Sequence, residues 1–162
     1  MYKQAAAIAI LFVLGAGAQT GVSGQSGLRG VWRIAHVTIE GAQAQTIANP
    51  QPSLVILAGQ HYSRTELHTD RPRPTLGSSG SATAEQLRAV WGPFQAEAGT
   101  YEVRDNVLTL HPEVAKSPAA MGSGAYLSNT FKLAGDTLWI SSVRNEKGPL
   151  AQPVRIKLVR VE

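Results

Sequence analysis

No cysteine occurs anywhere in the 162 residues. That excludes a disulfide framework, a thiolate ligand or nucleophile, and a lipid acceptor behind a cleaved leader. Charge is sparse as well: 16% of the residues are charged and the formal net charge is only +4. Arg64, Arg71 and Arg73 are the densest basic group, yet Glu66 and Asp70 stand among them. The chain therefore lacks the basic cluster with which proteins read nucleic acid. Long apolar runs are missing too. Ala5 to Leu14 is the longest, at about ten residues, where a bilayer span requires roughly twenty. A Gly-x-Ser-x-Gly elbow, a His-x-Glu-x-x-His spacing and a phosphate loop are all absent, as is any internal repeat, and no cofactor is implied.

What is present begins with a leader. Lys3 supplies a positive start, Ala5 to Leu14 an apolar segment, and Ala16-Gly17-Ala18 a small-residue cleavage site. The expected organisation is a signal peptide over 1–18, a flexible leader over 19–27 rich in glycine, serine and glutamine, and one domain over 28–162. A retained N-terminal anchor is the alternative, and the well-formed cleavage site argues against it. The expected protein is periplasmic or secreted, with no stable membrane anchor, and a monomer.

The domain reads as strands. Val31–Ile39 alternates Trp32, Ile34, His36 and Thr38 against a second, also partly apolar, face. Gly41–Pro52 is expected as a loop, then Leu54–Ala58 and His61–His68 as a hairpin across Gly59-Gln60. Arg71-Pro72-Arg73-Pro74 is unsuited to a central strand because proline lacks the ladder donor. The period changes at Thr83, where Thr83 and Gln86 form a capping box. Leu87, Val90, Trp91 and Phe94 follow as one helical stripe ending near Gly92-Pro93, expected to plug or cover one end of the fold. Thr100–Arg104, Val107–His111, Ala125–Leu133, Leu138–Val143 and Val154–Val161 complete eight strands. The expected fold class is all-β, an eight-stranded antiparallel up-and-down barrel with one short mid-chain helix. An open two-sheet sandwich is the alternative.

Gly30-Val31-Trp32 opening such a meander, with Arg160 on the last strand, resembles the calycin superfamily. More closely, the chain is similar to the lipocalin-like domain family of small bacterial proteins. His61-Tyr62-Ser63, Pro72-Arg73-Pro74, Trp91-Gly92-Pro93-Phe94 and Ala98-Gly99-Thr100-Tyr101 support the likeness, which spans about Leu28 to Glu162. The resemblance implies that Trp32 packs at the closed end of the barrel beneath Arg160, as a structural pair. Familiar lipocalins carry a helix after the last strand, whereas here the helix lies mid-chain. The entrance to a pocket is therefore not transferable.

The expected function is binding of a small hydrophobic or amphipathic molecule inside the barrel. Its lining is read as Ile34, His36, Leu54, Ile56, Tyr101, Val103, Leu127, Phe131, Leu138 and Ile140, with His36 and Tyr101 as polar anchors. A barrel isomerase or cyclase using lumen His and Tyr is one alternative; an envelope interaction protein with a filled core is another. Tyr62, Arg64 and Glu66 share one strand face, and alternation assigns Arg64 and Glu66 to solvent. His61 and His68 are seven residues apart and face opposite sides of a regular strand. The four histidines are accordingly read as surface or singly bonded residues, without a metal.

Overall fold

The computed structural model describes residues 26–77 and 79–162. The expected signal peptide, and the expected leader up to residue 25, lie outside the described residues. The strands are β1 (Gly30–Ile39), β2 (Gln45–Ile47), β3 (Leu54–Ala58), β4 (His61–Leu67), β5 (Phe94–Arg104), β6 (Val107–Ala115), β7 (Leu127–Ala134), β8 (Thr137–Asn145) and β9 (Gly148–Arg160). A short α-helix, α1 (Ala84–Trp91), precedes β5. Every strand from β3 to β9 pairs with the next, β1 pairs with β3, and β9 returns to β1. The result is a closed eight-stranded antiparallel up-and-down barrel, as the alternation predicts, with β2 as a ninth strand outside the ring. Closure leaves no long edge for another chain to extend.

Turn chemistry divides the two ends. Two-residue connections at Gly59-Gln60, Asp105-Asn106 and Gly135-Asp136 close one end, with Gly59 (φ 59°), Asp105 (φ 54°) and Gly135 (φ 54°) in the left-handed region that tight hairpins demand. The connections at the other end are long apart from one, and α1 lies in the longest of them. The Gly41–Pro52 segment is not all loop: β2 takes the edge of β1 that β3 vacates, pairing Val37 with Ile47, and Ile47 is buried.

The core concentrates at the closed end. Trp32, Leu138 and Leu158 are fully buried there. The Trp32 indole N–H donates to the Leu28 carbonyl at 2.8 Å. Residues 26–28 form a helical turn and Leu28 is fully buried, so the last leader residues belong to the fold. The Arg160 guanidinium stacks 4.1 Å above the Trp32 ring. It also donates to the carbonyls of Arg29 and Gly27, each at 2.7 Å. Gly30 has a physical reason: with φ at 139°, a Cβ there would lie 2.4 Å from the Glu162 carbonyl oxygen.

Three expectations need correction. The capping box forms as predicted, with Thr83 and Gln86 bonding reciprocally, but α1 buries no residue and plugs nothing. It sits at the rim of the open end, held where Arg73 donates to the Val90 carbonyl (3.3 Å) and Lys116 to the carbonyls of Trp91 and Phe94. Phe94 is the first residue of β5 rather than part of the helical stripe. β5, β6 and β9 are each longer than their apolar cores suggest, and β6 carries Pro112 opposite Gly99, beside a bulge that absorbs the missing donor.

Candidate functional site

The site follows from which face of the β3–β4 hairpin points inward. Val55 and Leu57 are buried while Leu54 and Ile56 are exposed. The two-residue turn sets Leu57 opposite Tyr62 and Val55 opposite Arg64, and directly opposed residues share a face. Tyr62, Arg64 and Glu66 therefore enter the barrel, which overturns the assignment of Arg64 and Glu66 to solvent. On the neighbouring strand, Glu97 lies opposite Arg64 and Gln95 opposite Glu66. Gly99, opposite Tyr62, is required by its other neighbour: a Cβ would sit 2.0 Å from the His111 carbonyl oxygen of β6.

These side chains form one ionic group. The Tyr62 hydroxyl donates to Glu97 Oε1 at 2.9 Å. Arg64 Nε lies 3.0 Å from the same oxygen, and an Arg64 terminal nitrogen 3.7 Å from Glu66 Oε1. The His68 imidazole Nε2–H donates to Glu66 Oε2 at 2.7 Å. Glu66 is buried to 1% exposure, and its Oε1 has no hydrogen-bond partner.

Burial and charge oppose each other here, and charge prevails. Burial alone would raise the Glu66 carboxyl, but Arg64 and then His68 hold it below the usual carboxylate range. Burial likewise works against the Arg64 charge, which Glu66 and Glu97 hold above its ordinary value. Tyr62 moves the other way. Burial first, then the Glu97 charge and hydrogen bond, push its phenol well above the ordinary value, so it stays a neutral donor.

The group marks a boundary. Beneath it is an internal cavity of only about 20 Å³, bordered by Leu57, Leu108, Leu110 and Asn129, with room for one water. Asn129 and Ser142 are joined by a 2.8 Å hydrogen bond in its wall. Above is an open cup of about 230 Å³ lined by Arg64, Glu66, His68, Gln95, Leu150 and Val154 among others. The deep lumen is packed; the accessible space is at the mouth.

The expected lining residues divide accordingly. Ile34, Tyr101, Val103, Leu127, Phe131, Leu138 and Ile140 belong to the interior core or pack on it, and Leu127 also reaches the cup. His36, Leu54 and Ile56 face outward, which corrects all three. For Leu54 and Ile56 the cause is a strand apolar on both faces. For His36 it is a bulge between Ile34 and His36, after which Val37 is the buried residue. His36 instead borders a surface groove with Trp139, Arg155 and Lys157. The Tyr101 hydroxyl is buried without a hydrogen-bond partner. His61 is exposed and His111 lies 3.7 Å from Glu102 outside the barrel. Among the described residues no group of three or more His, Cys, Asp or Glu is placed to hold a metal.

Sequence reasoning missed Gln95 and Glu97 because β5 was started at Thr100. The signal was available: counting back by twos from Val103 and Tyr101 reaches Gly99, Glu97 and Gln95. No protein-family model matches the chain, and no significantly similar curated protein is found.

Proposed function

We propose that this is an exported, monomeric, lipocalin-like carrier that binds a small amphipathic molecule in the cup at the barrel mouth. One observation carries the reading: a buried ionic group stands between a filled interior and an open, partly apolar cup. Buried ion pairs are poor sources of stability, and perturbed charges in a cleft mark functional sites. The ligand's polar end meets Glu66, Arg64 and Gln95, and its apolar part lies on Leu127, Leu150, Val154 and Ile156. The cup is smaller than the roughly 300–1,000 Å³ typical of drug-sized ligands, so a compact ligand is expected. Kinship with lipocalin-like proteins is supported by the up-and-down barrel and by Arg160 stacked on Trp32.

The test is native mass spectrometry of the protein purified from its own cell envelope. A discrete adduct, released on denaturation and lost in a folded Leu150→Trp variant, is the expected result. A clean unliganded mass that persists after incubation with short-chain alkyl alcohols, amines and acids would refute the reading. A rival, proton-transfer catalysis, draws on the 2.7 Å His68–Glu66 contact at the cup wall. The lumen tyrosine suits it poorly, because the raised Tyr62 phenol gives up its proton reluctantly.

A further inference from the structure

We propose that the polar end of the occupant is a cationic hydrogen-bond donor, an alkylammonium group, received by Glu66. This rests on the binding reading and narrows its ligand class. Charge is the first argument. The group sets two carboxylates, Glu66 and Glu97, beside the Arg64 guanidinium at 3.7 and 3.0 Å, with the His68 imidazole donating to the far oxygen of Glu66. An incoming anion at Arg64 would meet two resident carboxylates, whereas a cation at Glu66 Oε1 meets the one carboxylate oxygen without a hydrogen bond.

Hydrogen bonding is the second, independent argument. Glu66 Oε2 is occupied by His68, but Oε1 is buried with no hydrogen-bond partner. Glu66 lines both the small internal cavity and the cup. A buried acceptor left unmade is costly, and a donor entering through the cup removes that penalty. Tyr62 donates to Glu97 and the Ser142 hydroxyl to Asn129, and the Arg64 terminal nitrogen nearest Oε1 stops at 3.7 Å, beyond hydrogen-bond length. The remaining wall at Leu127, Leu150, Val154 and Ile156 suits a short alkyl chain.

The test compares hexylamine, hexanoate and hexanol by titration calorimetry on the wild-type protein and on Glu66→Gln. Hexylamine is expected to bind at least tenfold more tightly than the other two, and Glu66→Gln to abolish that preference. Equal or tighter binding of hexanoate, or hexylamine affinity unaltered in Glu66→Gln, overturns the inference while the carrier reading stands. Failure of all three probes to bind overturns both. Should Glu66→Gln not fold, side-chain carboxyl NMR of the wild type decides the question. Hexylamine must shift the Glu66 signal but not those of the exposed Glu85 and Glu146; an unmoved Glu66 signal refutes the assignment.

Discussion

The two ends of the barrel solve opposite problems with the same strands. At the closed end, Trp32, Leu28, Leu138 and Leu158 are fully buried and the indole N–H is satisfied. At the open end, Arg64, Glu66, Glu97 and Tyr62 crowd together, and a buried Glu66 oxygen lacks a hydrogen bond. Short hairpins close the first end, while three long connections and one short one surround the second. On the proposed reading, the difference teaches that stability and recognition are separated along the barrel axis. Apolar burial holds the fold together at one end; charge, which stabilises little when buried, is kept at the other.

Breaking the closed end should do the most damage. Trp32→Ala removes a fully buried aromatic and should cost about 3–5 kcal/mol, much of the roughly 5–15 kcal/mol that holds a domain folded. Thermal melts should show an unfolded or severely destabilised protein. At the open end Arg64→Met leaves two carboxylates facing each other, and about 3–5 kcal/mol is expected because a buried charge loses its partner. Removing all three charges, Arg64→Met with Glu66→Gln and Glu97→Gln, should recover most of that loss, because no unpaired charge stays buried. Ligand uptake should nonetheless be lost. A triple variant as unstable as Arg64→Met would erase the contrast between the ends.

The pH dependence sharpens the comparison, since the two perturbed acids, Glu66 and Tyr62, both belong to the ionic group. The Glu66 carboxyl is depressed in the folded state. Its contribution is present above the ordinary carboxyl value of about 4.3 and is lost as pH falls through the lower folded value. The Tyr62 phenol is raised, so its contribution is complete below about pH 10 and declines as pH rises beyond that. Urea midpoints of Glu66→Gln should therefore depend less on acid than the wild type, and those of Tyr62→Phe less on strong base. Parallel curves would remove these two groups from the account.

Smaller effects test the edges of each region. Arg160→Met loses the stacking on Trp32 and two hydrogen bonds to Arg29 and Gly27. About 1–2 kcal/mol is expected in denaturant unfolding, without change at the cup. Thr83→Ala removes the α1 cap, worth about 1 kcal/mol locally. Because α1 buries nothing, faster hydrogen exchange should be confined to its amides and the melting temperature should barely move.

How much of this was legible in the sequence depends on the strand. The closed end was readable: Trp32 in a first strand, Arg160 in the last, and tight-turn dipeptides between strands. The open end was not, and one choice explains most of the failure. Leu54–Ala58 is apolar on both faces, so alternation did not say whether Leu54 and Ile56 or Val55 and Leu57 point inward. Choosing the first pair turned the whole hairpin over, because a change of face moves every side chain. It went with the assignment of Arg64 and Glu66 to solvent. The Thr83 cap was legible because capping is local chemistry; the role of the helix was not, because amphipathic spacing does not reveal what covers the stripe. His36 was lost to a bulge in a stretch with neither glycine nor proline to announce it.

The division between the ends is tested most directly by backbone amide NMR during titration with hexylamine. Shift changes should centre on Glu66, His68, Gln95, Leu127 and Leu150, leaving Trp32, Leu138 and Leu158 unmoved. Changes centred on the closed end, or spread over the barrel's outer face around His36 and Trp139, would contradict the account.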